Sequence, residues 1–68
     1  MKNAPTTYTI TSVLEDGTTE VVATGVDFDS HSGVRASSLR ASAYNYVAAL
    51  VRDPREDETF LATEEPTI

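Results

Sequence analysis

The only histidine, His31, lies two residues from Asp29 and four from Asp27. In an extended segment these three side chains project from one face, and Asp/His sets of that kind bind divalent metals. A calcium loop needs glycine at its sixth position and glutamate at its twelfth. Counted from Asp27, those places hold Ser32 and Ser38. The stretch 27–33 therefore reads as a polar strand exit leading to a helix cap, and no metal site is expected.

His31 as base, Asp29 as its acid and a serine nucleophile would make a hydrolytic set. Ser30 and Ser32 are too near in sequence to face His31 without unusual backbone geometry, and the chain holds no Gly-x-Ser-x-Gly elbow. Eleven acidic residues leave glycosidase-type carboxylate pairs open by composition. A chain this short, however, has little room for a cleft of roughly 300 Å³ or more. With three glycines and no phosphate-cradling loop, no cofactor is expected either. The expectation is a non-enzymatic protein with no catalytic residue.

Other groups suggest binding. Arg35 and Arg40 stand five positions apart, about 140° around a helix, which makes a solvated face and not a phosphate clamp. Thr7, Thr9 and Thr11 form a Thr-x-Thr-x-Thr row, the mark of an exposed strand face. Acids gather late in the chain, at Asp53, Glu56, Asp57, Glu58, Glu64 and Glu65. Such a run serves solubility, and it can also imitate nucleic-acid phosphates and occupy a basic groove on another protein. Asp53, Glu56, Asp57 and Glu58 are the candidates for that acidic surface.

Sixty-eight residues, 40% hydrophobic and 24% charged, suit one small globular domain over 1–68, with 1–6 and 64–68 as loose termini. A net charge of −6 and a pI near 4.4 argue against direct nucleic-acid binding, which needs a basic surface. The absence of cysteine excludes disulfides and thiolate chemistry. No apolar run approaches the roughly 18 residues of a membrane span, and the opening residues do not resemble a signal peptide. A cytoplasmic protein without membrane contact is the expectation.

The elements follow from periodicity. Residues 8–14 alternate, with Tyr8, Ile10 and Leu14 on one face and Thr7, Thr9, Thr11 and Val13 on the other. A second strand over 20–26 follows Asp16-Gly17, a strong hairpin signal. A three-residue loop with Gly17 left-handed pairs Ile10 with Val22 and Tyr8 with Thr24; a two-residue turn would pair Ile10 with Ala23. The first register is preferred, because it gathers Tyr8, Ile10, Leu14, Val22 and Val26 on one face. From Val34 to Arg52 the spacing turns helical, with Ala36, Leu39, Ala43, Tyr46, Val47 and Leu50 as the stripe and Pro54 as the stop. A short strand over 59–63 completes an α+β chain of order β-β-α-β in two layers.

One helix covers one face of such a sheet. The other face, with Thr7, Thr9, Thr11, Val13, Thr19, Val21 and Ala23, stays open. A core this small gains little net stability alone. Self-association into a homodimer by sheet extension across a two-fold axis is therefore expected. Thr9, Thr11, Val13, Val21, Phe60 and Leu61 are the interface candidates.

Ala36-Ser37-Ser38-Leu39-Arg40, followed by Tyr46-Val47-Ala48-Ala49, resembles the N-terminal oligomerisation domain of the actinobacterial H-NS-like nucleoid silencers. The resemblance spans about residues 8–52, with Phe28-Asp29 as the strand exit. It implies strand-mediated dimerisation in a small regulator of actinobacterial or phage origin, able to co-assemble with a full-length silencer. Where that family carries a basic linker and a DNA-binding domain, this sequence has an acidic strand and tail. Only oligomerisation therefore carries over. The alternative function is an acidic, phosphate-mimicking decoy that inhibits a nucleic-acid-handling protein.

Overall fold

A computed structural model describes residues 6–66. Strand β1 (Tyr8–Leu14) and strand β2 (Thr19–Val26) form an antiparallel hairpin, and a single 3-10 turn follows at Phe28–Ser30. Helix α1 (Leu39–Leu50) then leads to strand β3 (Glu58–Glu64). The sheet order is β2-β1-β3, with both pairings antiparallel. This is the expected α+β architecture, with the first strand in its centre.

The hairpin loop closes as the preferred three-residue form. Leu14 N–H donates to Thr18 O at 2.9 Å, Gly17 N–H donates to Leu14 O at 2.9 Å, and Gly17 has φ 91°. Near the loop the preferred register holds, pairing Val13 with Thr19 and Thr11 with Val21. Beyond Thr11 it shifts twice, so that Ile10 faces Ala23 and Tyr8 faces Val26. The expected pairs Ile10–Val22 and Tyr8–Thr24 are thus replaced. Each shift leaves an extra residue in β2, a bulge, and Gly25, at φ 63°, supplies a left-handed conformation that other residues adopt at a cost. Ala23 consequently packs beside the core instead of on the open face, while Val26 is buried.

The core consists of Ile10, Val26, Phe28, Val34, Ala43, Val47 and Phe60. Phe28 stacks on Tyr8, with ring centroids 5.2 Å apart, and meets Tyr46 edge-on at 6.4 Å. Asp27 caps the 3-10 turn by accepting from Asp29 N–H at 3.0 Å, which fixes Phe28 inward.

Helix α1 begins five residues later than the periodicity suggests. Ser38 is its N-cap, its Oγ accepting from Ala41 N–H at 3.2 Å. Val34 is buried all the same, because residues 34–36 are pinned across the helix. Ser42 Oγ accepts from Ala36 N–H at 2.8 Å, and Asn45 Nδ2 donates to Val34 O at 3.1 Å. Only the middle of the apolar stripe is covered: Ala43 and Val47 are buried, while Leu39 and Leu50 at its two ends are exposed. Replacing Ser38 with alanine is expected to cost about 1 kcal/mol, read as a lower denaturant midpoint at unchanged m-value.

β3 is also longer than expected and includes Glu58 and Glu64. Glu65, assigned to a loose end, instead donates its N–H to Thr7 O at 2.9 Å. Residues 1–5, 67 and 68 of the expected loose termini lie outside the described residues.

Candidate functional site

The groups that suggested chemistry are spread apart. Asp27 is occupied as a cap, Asp29 faces Arg35 in an exposed ion pair at 3.6 Å, and the His31 ring meets Tyr46 edge-on at 5.3 Å. Among the described residues, no three His, Asp or Glu side chains gather as a metal ion would require. No helix there is long and apolar enough to cross a membrane. A shallow groove of about 340 Å³ runs between the start of α1 and β3, past Arg40, Ala41, Tyr44 and Phe60. Its lining also includes Ser38, whose hydroxyl caps the helix, and Glu58, which is held by Arg52.

Leu39, Tyr44, Leu50 and Val51 are exposed along α1, and the sheet surface away from α1 exposes Val21 and Leu61. Strand alternation brings Val21, Thr11 and Leu61 into a row across all three strands, with a second row of Thr19, Val13 and Thr59 beside it. Thr9 and Thr63 continue the face toward its far end. Val21 is 58% exposed and Leu61 43%. Five of the six interface candidates, Thr9, Thr11, Val13, Val21 and Leu61, therefore share this face.

Phe60 is the correction. Neighbours along a strand point to opposite sides, so Phe60 and Leu61 cannot share a face. Phe60 is 2% exposed, lies in the core and meets Tyr44 edge-on at 6.1 Å.

Glu58 corrects the acidic-surface assignment in the same way. It shares the inward side of β3 with Phe60, and its side chain is fully buried. Arg52, at the end of the helix, reaches it with both terminal nitrogens, Nη1 to Oε1 at 2.8 Å and Nη2 to Oε2 at 2.6 Å. Arg55 N–H donates to Oε1 at 3.0 Å, and Ser12 Oγ donates to Oε2. The Arg52 guanidinium, with help from Ser12 and the Arg55 amide, holds this carboxyl far below the usual range despite its burial. Asp53, Glu56 and Asp57 remain exposed on the connector.

Glu65 is a residue that periodicity does not point to. Its carboxylate lies at the Thr9 end of the open face, where Thr7 Oγ1 donates to it at 2.7 Å and Thr9 Oγ1 at 2.8 Å. Gly25 N–H donates at 2.9 Å, so one side chain ties all three strands together. The Gly25 amide, then the two threonine hydroxyls, lower its pKa. The threonine row is the only sequence trace of this clamp.

The face therefore consists of threonine hydroxyls and apolar side chains, with a single carboxylate at one end whose partners all come from within the chain. The Glu65 carboxylate is taken up by Thr7, Thr9 and the Gly25 amide, and the rest of the surface is threonine and apolar side chains of the kind that pack. No family model, no curated protein and no solved structure matches the chain.

Proposed function

We propose that this chain is a non-enzymatic protein–protein interaction module of regulatory type that associates with a second copy of itself. The observation that carries the reading is the open sheet face. It exposes Val21 and Leu61 around Thr11 and Val13 in a chain of net charge −6. Uncovered apolar side chains on a small domain are a source of association energy that the single helix leaves unused. The decoy alternative has less to draw on, because Glu58 and Glu65 are engaged within the fold. Asp53, Glu56 and Asp57 would have to carry it.

Light scattering across a dilution series at two salt concentrations tests the proposal. The expected result is a mass of twice 7.3 kDa that falls on dilution and changes little with salt. A monomer at every concentration overturns it. Capture of a basic partner with steep salt dependence, lost when Asp53, Glu56 and Asp57 are neutralised, would favour the decoy.

A further inference from the structure

We infer that the dimer forms by packing the open faces of two sheets against each other, not by joining two strand edges; this rests on the self-association proposed above. The β3 edge is obstructed, and the β2 edge is regular only over Thr19–Val21, beyond which two register shifts break its ladder with β1. On β3, Glu65 N–H donates to Thr7 O, and strand alternation then turns the outward main-chain groups to Phe60, Ala62 and Glu64. Phe60 is 2% exposed as a whole residue, so a partner strand has no access to the middle of that edge. Glu58 N–H, one step before it, already donates to Arg55 O.

The face meets the opposite conditions. Two copies of a chain with eleven acids repel each other wherever carboxylates oppose. Threonine and apolar side chains make up the rows Val21–Thr11–Leu61 and Thr19–Val13–Thr59, which approach their copies without that penalty. Glu65 at the Thr9 end also selects the symmetry. A two-fold axis running across the strands, along the row Val21–Thr11–Leu61, sets the two Glu65 carboxylates at opposite ends. An axis along the strands would bring them together. A face of three strands and about five residues measures roughly 15 by 17 Å. Pairing two of them covers roughly 500 Å² of flat area, the range of weak, transient association, so the dimer is expected to dissociate readily on dilution.

The double substitution Val21→Lys and Leu61→Lys tests this. It reduces the net charge from −6 to −4, so any general charge effect would strengthen association. Face packing instead predicts a dissociation constant raised at least about 100-fold, because the lysines would be buried against each other. Unchanged thermal unfolding of the diluted monomer shows that the fold is intact. The cysteine-free chain allows a second readout: Val21→Cys should crosslink to its copy through a bismaleimide spanning about 10 Å, and Glu20→Cys, on the other side of β2, should not. A wild-type dimer that the double substitution leaves unchanged overturns face packing while self-association stands. A wild-type monomer at all concentrations overturns both.

Discussion

Phe28→Ala is expected to leave the chain without cooperative folding. The ring is 1% exposed and lies between Tyr8 on the central strand and Tyr46 on the helix, so its loss opens a cavity that both layers line. Truncations of this kind cost about 3–5 kcal/mol. A single core below 70 residues supplies only about 3–5 kcal/mol in total. The measurement is thermal unfolding followed by near-ultraviolet circular dichroism, which reports the fixed ring environment. Tyr44→Ala is the contrast: it removes an aromatic of similar size that is 47% exposed, and should shift the midpoint by only a few degrees. Phe28→Ala unfolding cooperatively within a few degrees of wild type would show that the two layers do not depend on this ring.

Glu58→Ala is expected to cost about 3 kcal/mol, and in a chain of this length that lowers Tm by roughly 12–24 °C. The substitution strands three donors at once: the Arg52 fork, the Ser12 hydroxyl and the Arg55 amide. Replacing Arg52 and Glu58 together with methionine should recover the part of the loss that comes from the stranded guanidinium, while the Ser12 hydroxyl and Arg55 amide stay unmatched. A double variant as unstable as Glu58→Ala would show that the ion pair itself, and not its mismatch, holds the connector to the sheet.

The same carboxyl sets the acid limb of stability. Its pKa in the folded chain lies far below the ordinary 4.5, chiefly through Arg52, so the unfolded chain takes up the proton more readily. Its contribution is complete above about pH 4.5 and drains away as pH falls below that value. Glu65, lowered by the Gly25 amide and its two threonines, acts in the same direction. Denaturant midpoints measured between about pH 3 and pH 7 should therefore decline steeply at the acid end in wild type. In Glu58→Gln the decline should be shallower. An identical slope in both would assign the acid sensitivity elsewhere.

The sequence was most legible where one short-range rule acts alone. Alternation placed Tyr8 and Ile10 inward and Thr9, Thr11 and Val13 outward, and Asp16-Gly17 gave the loop. It was less legible where two signals compete. The helical spacing of Val34 and Ala36 is real, but Ser38 caps the helix, and the side chains of Ser42 and Asn45 hold the preceding residues in place. Phe60 and Leu61 are both interface candidates by sequence, yet the alternation used for β1 places them on opposite surfaces. Applied from Phe60, it also turns Glu58 inward, toward the arginine that ends the helix. The register shifts in β2 had a local signal in Gly25, a glycine inside a strand. The Glu65 clamp left only the threonine row as a trace, because its donors lie 40 to 58 positions away along the chain.

The place of β1 at the centre of the sheet also sets the order in which the molecule can assemble. Its pairing with β2 crosses one short loop and can form early. Its pairing with β3 joins groups 44 to 58 positions apart, from Leu14–Glu58 to Thr7–Glu65. Closing so long a loop must precede any reward from the contacts it brings, which slows folding for a chain of this length. Until that closure, one side of β1 is an unpaired template with its threonines and valine in water. The Arg52–Glu58 cluster and the Glu65 clamp both form only with the late strand, so weakening either should speed unfolding more than it slows folding.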